Sequence, residues 1–293
     1  MARRGIASRR RGERTAGPRM RPGGAGHRGN VGLDDGGIAA RDRSLMALAE
    51  PEVQEFALSM PPSYRDRYAL AAVQAHAHLS AARGDRPFAV DVFDDGSLGI
   101  ALALITKDRP GVLALASSAL TAHGFDIGDA QFYTRERSSG EREALALFWP
   151  QTKHGERVEL DPDDLTNLRE TLTRLFEGRS EALPQEVVEH APTARSGPES
   201  RRTPDTRVRF VEGSDGCLST LEVETEDRTG LLLSLARALF AARVQIVRSE
   251  VRTVEDQVFD RFTITEPNGG PVNAERRLAI QVAVLSALDP RRS

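Results

Sequence analysis

Asp108-Arg109-Pro110-Gly111 and Asp227-Arg228-Thr229-Gly230 are two versions of one short segment, 119 positions apart. Keeping this offset without gaps aligns further pairs of similar residues along the chain. These pairs are Leu113 with Leu232, Leu120 with Leu239, Ile127 with Ile246, Ala130 with Ser249, Phe132 with Val251 and Thr134 with Thr253. The chain therefore contains an internal repeat, in which each copy is expected to fold as one supersecondary unit.

Each copy shows the same order of predicted elements: a β-rich run, the Asp-Arg-x-Gly turn, an apolar helix, two strands and a second helix. In the later copy Leu232, Leu235, Ala236 and Leu239 recur with helical spacing, which predicts one buried stripe. The following strand alternates apolar and charged residues, so one face of its sheet is expected to meet solvent. This order predicts an α+β protein with two ferredoxin-like units, each with helices on one face of an antiparallel sheet.

A ferredoxin-like sheet needs a fourth strand, for which the later copy has no room at its end. Its second helix, predicted over Ala274 to Leu288, runs almost to the last residue. Val208 to Phe210 can instead fold back on the strand that begins at Leu218, and Phe88 to Phe93 can do the same before Ile100. We therefore predict that each sheet is closed by a strand that precedes its β-rich run.

Composition divides the chain into five parts. The Arg-rich start holds eleven Arg against four acidic residues, and its Gly and Pro content predicts a disordered tail. A helical segment broken by Pro61-Pro62 follows, and a stretch rich in Pro, Ser and Arg separates the two copies. The predicted boundaries are 1–44 for the tail, 45–85 for the helical segment, 86–178 for the first unit, 179–206 for the linker and 207–293 for the second unit.

Charge and cysteine usage narrow the range of partners. The whole chain has a formal net charge of −3, so the part after the Arg-rich tail is acidic, which argues against nucleic acid as a partner. Cys217 is the single cysteine, so an intrachain disulfide is impossible and a reducing cytoplasm is the expected compartment. The apolar stretches are too short to cross a membrane, so no membrane partner is predicted.

Several segments add to the two turns in one resemblance. They are Val208-Arg209-Phe210, Leu221-Glu222-Val223, Val258-Phe259-Asp260-Arg261-Phe262, Met60-Pro61-Pro62-Ser63-Tyr64 and His76-Ala77-His78-Leu79. Over roughly residues 60–293 the chain resembles the tandem ACT domains, and the segment before them, in bacterial PII uridylyltransferase/uridylyl-removing enzymes. The resemblance implies amino-acid sensing linked to nitrogen metabolism, with glutamine as the first ligand to test.

The catalytic signatures of that enzyme family are missing. Its nucleotidyltransferase carries a Gly-Ser motif followed by paired aspartates on a strand, and its hydrolase domain carries a His-Asp pair. None of the six histidines here is followed by Asp, and neither Gly96-Ser97 nor Gly213-Ser214 leads into such a strand. We therefore predict an allosteric regulatory protein that is not an enzyme and uses no cofactor or metal.

The two turns are the predicted ligand site. Gly111 and Gly230 let the backbone approach a ligand where a helix begins, and amides at a helix start favour an anion such as a carboxylate. The ligand's ammonium group then needs an acceptor from the neighbouring copy, if the two sheets pair. The predicted binding residues are Asp108, Arg109, Pro110, Gly111, Val112, Asp227, Arg228, Gly230 and Leu231.

Simpler interpretations stay open beside this one. Asp108 and Asp227 are good N-cap residues, so the turns can serve the fold alone. Asp260 is expected to cap a backbone group or mark a bulge, and His76 and His78 to lie on the surface. For the whole chain, the alternatives are a ligand-free interaction or dimerisation module and, third, a uridylyltransferase-related activity on a PII-like protein.

Overall fold

The computed structural model describes residues 50–95, 98–152, 155–177, 206–212, 218–254 and 256–289. The predicted tail lies outside the described residues, as does the predicted linker apart from Thr206. The helices are α1 Pro51–Ser59, α2 Pro62–Arg65, α3 Leu70–Arg83, α4 Val112–Ala122, α5 Pro162–Glu177, α6 Leu231–Ala241 and α7 Ala274–Leu288. The strands are β1 Phe88–Asp94, β2 Ile100–Lys107, β3 Asp126–Glu136, β4 Arg142–Gln151, β5 Arg207–Glu212, β6 Ser219–Glu226, β7 Gln245–Val254 and β8 Gln257–Thr265.

All of these strands form one antiparallel sheet in the order β1-β2-β4-β3-β7-β8-β6-β5. Within each unit this is the ferredoxin-like order, with the closing strand at the outer edge. Phe88 of β1 lies opposite Thr106, and Arg207 of β5 lies opposite Glu224. The predicted closure by a preceding strand is confirmed.

The two units meet where β3 pairs with β7. Gln131 of β3 lies opposite Glu250 of β7, and these are the same position of the repeat, 119 residues apart. A pseudo-twofold axis therefore passes through this pair of residues. The two copies of the repeat pair within one chain and make one continuous sheet.

One face of the sheet is covered by the helices of both units. α4 and α6 pack against each other in the middle, with α5 beside α4 and α7 beside α6. Leu120 and Leu239, which are equivalent in the repeat, are 1% and 0% exposed. The predicted helical stripe is buried as expected, and one apolar core extends across both units.

The opposite face of the sheet differs between the units. In the first unit α1–α3 cover it, burying Tyr64 of α2 against Tyr133, Leu147 and Trp149 of the sheet. In the second unit the same face carries Arg and Glu side chains that remain accessible to solvent. The helical segment that precedes the first unit is therefore part of its packing.

A buried ionic network fixes α3 to the first unit. Glu143 of β4 accepts hydrogen bonds from Arg83 Nε at 3.0 Å, Arg135 Nε at 2.8 Å and Ser80 Oγ at 2.8 Å. The side chains of Arg83, Arg135 and Glu143 are each 3% exposed or less. Because each charge has partners, the network satisfies the groups that α3 buries.

His76 is the clearest difference from expectation in this region. It is fully buried between Tyr64, Tyr68 and Phe93, with its Nδ1 2.7 Å from the Tyr64 hydroxyl. Burial lowers the pKa of His76 to about 3, so the ring is neutral at physiological pH. The surface position predicted for His76 was wrong because α3 packs two of its faces, against the sheet and against α1, whereas His78 is exposed as predicted.

Candidate ligand-binding site

Both Asp-Arg-x-Gly turns lie where a strand leads into the first helix of its unit. Gly111 precedes α4 with a backbone φ of 87°, and Gly230 precedes α6 with a φ of 73°. Both values lie in the left-handed region, which glycine enters without the steric cost of a Cβ. The sequence interpretation of these glycines as bends that start a helix is therefore confirmed.

The expected capping role of the two aspartates was wrong. The N-cap residues are Gly111 and Gly230, and neither helix start has a side-chain cap. Asp108 instead binds Arg142, with 2.8 Å between Arg142 Nη2 and Asp108 Oδ2. The reason is spacing, since three residues separate each aspartate from the first residue of its helix.

The first turn is completed by the second unit. Gln245 at the start of β7 donates from Nε2 to Asp108 Oδ1 at 2.8 Å. The Asp108 side chain is 2% exposed, and this burial raises the pKa of its carboxyl, while Arg142 and Gln245 act in the opposite direction. Asp108 thus links the turn to both units.

The arginines of the two turns have equivalent partners. Arg109 Nη2 lies 3.3 Å from the carbonyl oxygen of Phe176 and stacks on the Phe176 ring, 5.0 Å from its centre. Arg228 Nη2 lies 3.4 Å from the carbonyl oxygen of Ala287. Burial lowers the pKa of both guanidinium groups, yet arginine stays protonated. Each arginine therefore holds a positive charge beside its turn and against the last turn of α5 or α7.

A narrow cleft of about 20 Å³ opens at the first turn. One wall is the turn and the beginning of α4, and the other wall comes from α6 and the start of β7. The lining residues are Arg109, Pro110, Gly111, Val112, Leu113, Ala114, Phe132, Ala236, Phe240, Val244, Gln245 and Ile246. Four of the residues predicted for the first site therefore line one cleft between the two units.

The backbone amides of the two turns differ in their hydrogen bonds. Among the described residues, no acceptor binds the amides of Gly111 and Val112, as is usual at a helix start. At the second turn, the Gly230 amide donates to Asp126 Oδ1 at 3.2 Å, and the Leu231 amide donates to the Arg228 carbonyl at 3.1 Å. The Gly230 and Leu231 amides thus have acceptors that the equivalent amides of the first turn lack among the described residues.

The residues that sequence reasoning missed are Asp126 and Gln245. They occupy the same position of the repeat, at the beginning of β3 and β7, and each contacts the turn of the other unit. The 119-residue offset already aligned them, but their role depends on the pairing of β3 with β7. The alignment of these two positions in the repeat is therefore the sequence signal that could have identified them.

Asp260 also departs from expectation. It is 2% exposed on the helix-covered face of β8, and within the described residues neither carboxylate oxygen has a hydrogen-bond partner. Burial, and then the nearby Asp227 and Asp129, raise the pKa of Asp260 well above its ordinary value. It neither caps a backbone group nor lies at the bulge, which falls between Ile246 and Arg248 of β7.

In the described part of the chain, no three His, Cys, Asp or Glu side chains are grouped closely enough to hold a metal ion. Among the same residues, no helix is both long and apolar enough to cross a membrane. The candidate site is formed by the first turn, Arg109 and the start of β7.

Fold and site together define an α+β protein with two ferredoxin-like units joined through one sheet, with a cleft between them at an Asp-Arg-x-Gly turn. No protein-family model matches the chain. Its curated relatives are bifunctional uridylyltransferase/uridylyl-removing enzymes, and the chain resembles their C-terminal part, without evident catalytic domains. The predicted resemblance is confirmed.

Identity to these relatives is moderate. The Azospirillum brasilense enzyme is 29% identical over 215 residues, which cover 71% of this chain and 22% of that enzyme. The Phenylobacterium zucineum enzyme is 27% identical over 252 residues, covering 84% of this chain and 26% of that enzyme. The chain thus spans about a quarter of the length of these relatives. Aspartate kinase from Synechocystis is a structural match at 10% identity over 64% of this chain and 40% of that one, and its TM-score of 0.18 supports no argument.

Proposed function

We propose that this chain is a non-catalytic regulatory protein that binds a free amino acid in the cleft at the first turn. Glutamine is the first ligand to test, as the resemblance to the sensory part of uridylyltransferase/uridylyl-removing enzymes implies. The observation that carries the proposal is the pair of unoccupied amides of Gly111 and Val112 at the mouth of a cleft between the two units.

The chemistry of the cleft matches the two ends of an amino acid. A carboxylate accepts hydrogen bonds from the two amides and is favoured by the start of α4 and by the charge of Arg109. Gln245 uses its Nε2 on Asp108, so its carbonyl oxygen is the acceptor we assign to the ligand's ammonium group. Apolar residues such as Ala236 and Phe240 line the rest of the cleft, which must open further to take the ligand's methylene groups.

The size of the ligand sets the affinity to expect. An amino acid with about ten heavy atoms gains about 5 kcal/mol at typical ligand efficiencies, which corresponds to a dissociation constant of about 0.2 mM. The bound ligand contacts the turn of one unit and a strand of the other, so its affinity depends on how the two units pair. Regulation requires that this affinity differs between two arrangements of the protein.

Calorimetric titration with each of the twenty amino acids tests the proposal. We expect glutamine to bind, and Arg109→Gln to weaken the binding by about tenfold, because a charged hydrogen-bond donor to the carboxylate is lost. Arg228→Gln is the matched control, since Arg228 has the equivalent contact beside the second turn. Absence of heat and of any thermal shift with all twenty amino acids would disprove the proposal.

One observation favours the alternative of a dimerisation module. Leu278, Val282 and Leu285 of α7 are 64%, 55% and 41% exposed, and their spacing places them on one side of the helix. In an antiparallel pair of α7 helices, Leu278 of one copy meets Leu285 of the other and Val282 meets itself, as an interface with twofold symmetry requires.

Sedimentation equilibrium distinguishes this alternative. We expect Val282→Lys to leave a monomer if α7 carries the dimer contact, because the charge lies on the symmetry axis. Thr166→Lys on the exposed side of α5 is the control and should leave the mass unchanged. A wild-type monomer at high micromolar concentration would exclude a stable dimer through α7.

A further inference from the structure

The beginnings of β3 and β7 form a reciprocal contact across the pseudo-twofold axis. Asp126 of β3 contacts the second turn at Gly230, and Gln245 of β7 contacts the first turn at Asp108. The two positions are equivalent in the repeat and differ in charge, since one side chain is a carboxylate and the other is a neutral amide. This difference in charge lies at the contact between each turn and the opposite unit.

At the second turn, the carboxylate of Asp126 occupies the position that an anionic ligand needs. Asp126 Oδ1 accepts from the Gly230 amide at 3.2 Å and from the Ile127 amide at 3.0 Å, and Asp126 is 8% exposed. A carboxylate bound to the backbone amide at a helix start has the geometry of a bound anion. The chain therefore supplies the second turn with an anion of its own.

The charges around the second turn oppose another anion. Asp126, Asp227 and the buried Asp260 interact electrostatically, and Asp129 is near enough to act on Asp260. Arg157 pairs with Asp129, and Arg228 lies beside this turn as Arg109 lies beside the first. A ligand carboxylate would therefore meet the carboxylates of Asp126 and Asp227 and an occupied amide.

At the first turn the equivalent surroundings are neutral or positive. Gln245 donates to Asp108, whose charge Arg142 offsets, and Arg109 lines the cleft. The amides of Gly111 and Val112 face this environment without an acceptor among the described residues. An amino-acid carboxylate is thus accepted here and rejected at the second turn.

We propose that Asp126 is a built-in substitute for the ligand carboxylate, which closes the second turn, so that each chain binds one amino acid, at the first turn. The inference rests on the proposed function and adds a stoichiometry and a residue that determines it. Its consequence is that exchanging the residues at positions 126 and 245 moves the binding site from one unit to the other.

The experiment uses the full chain and counts bound L-glutamine by equilibrium dialysis, with calorimetry for affinity. Wild type is expected to bind one glutamine per chain. Asp126→Gln is expected to bind two, and Gln245→Asp is expected to lose binding, because the new carboxylate closes the first turn. The double exchange is expected to bind one glutamine, now at the second turn.

Circular dichroism and thermal unfolding check that each variant is folded. If Asp126→Gln does not fold, Asp126→Asn replaces it, because Asn keeps the size and an oxygen that accepts from Gly230 while removing the charge. We expect Asp126→Asn to add a second glutamine with at least about tenfold weaker affinity than the first.

The outcomes separate this inference from the proposed function. Two glutamines per wild-type chain, or a folded Asp126→Gln that still binds one, would overturn closure by Asp126. No binding by wild type together with one glutamine bound by Asp126→Gln would overturn binding at the first turn and support closure. Absence of binding in all four proteins would overturn both.

Discussion

The two units share one fold, and they differ in what surrounds it. The first unit is buried on both faces of its sheet, between α4 and α5 on one side and α1–α3 on the other. The second unit is covered on one face only, and its other face carries charged pairs such as Arg261 with Glu222. Equivalent strands therefore experience different environments in the two halves of one sheet.

The same contrast extends to the interior and to the turns. Asp260 of the second unit occupies the position at which the first unit has Ala146, as the strand pairings show. The first turn has unoccupied amides beside a cleft, whereas the second has its Gly230 amide bound to Asp126. A repeated backbone has thus preserved the core pattern while the polar groups at the sites have diverged.

The largest expected effect concerns the buried network of the first unit. Replacing Glu143 by Gln leaves Arg83 and Arg135 without their shared carboxylate, so we expect stability to fall by about 3–5 kcal/mol. The exposed pair in the second unit is the comparison, and Glu222→Gln should cost at most about 1 kcal/mol. Urea unfolding of both variants measures the difference, and similar losses would contradict the contrast between the faces.

The next effect compares two equivalent positions on the same face of the sheet. Leu145 is 2% exposed under α1–α3, whereas Phe259 at the equivalent position of β8 is 45% exposed. We expect Leu145→Ala to cost about 2–5 kcal/mol through the cavity it leaves, and Phe259→Ala less than about 1 kcal/mol. If the phenylalanine variant lost more stability in urea unfolding, the second face would be covered in the folded protein.

A pH-dependent effect sharpens the contrast between Asp260 and Ala146. The raised pKa of Asp260 means that the folded state binds its proton more tightly than the unfolded state does. Stability should therefore decrease as pH rises above about 4, by at most about 1.4 kcal/mol per pH unit from this group. Asp260→Asn removes this contribution, whereas the raised pKa values of Asp108 and Asp227 remain in both proteins.

The free energies of unfolding of wild type and Asp260→Asn, measured from pH 5 to pH 7, give the difference in the slope of stability against pH. Parallel profiles would show that Asp260 is solvated or paired in solution.

The smallest effect concerns the turns themselves. Gly111→Ala should cost about 1–2 kcal/mol, since a Cβ is unfavourable in the left-handed region. Gly230→Ala should cost less, because its φ of 73° and ψ of 18° lie closer to the left-handed minimum than the 87° and 0° of Gly111. Thermal unfolding of the two variants measures this, and a larger loss for Gly230→Ala would reverse the order.

Much of the fold could be predicted because its signals are local. The spacing of Leu232, Leu235 and Leu239 specifies one buried helix face, and alternation along β7 specifies one inward face. The closing strands were predicted because a ferredoxin-like sheet needs a fourth strand, for which the later copy has no room after its second helix. The packing of α1–α3 on the first unit was harder to predict, because residues such as His76 are buried by contacts with distant strands.

The candidate site was predictable only in part. Asp108, Arg109 and Gly111 lie together because they are consecutive, and their turn can be read from the sequence. Gln245 and Asp126 are more than one hundred residues away from the turns that they contact. The unpartnered Asp260 was likewise not expected, because its surroundings come from separate strands and from the second turn.

The sequence by itself determined the repeat, the order of elements in each unit and the two glycine turns, since these depend on residues close together in the chain. Only the tertiary structure decided that the copies pair within one chain through β3 and β7 and that each strand start meets the opposite turn. The physical reason is the distance along the chain over which each preference acts. Helical spacing, strand alternation and turn preference act over a few residues. Whether an amide is open to a ligand or already bound to Asp126 depends on which distant side chain the assembled sheet brings to it.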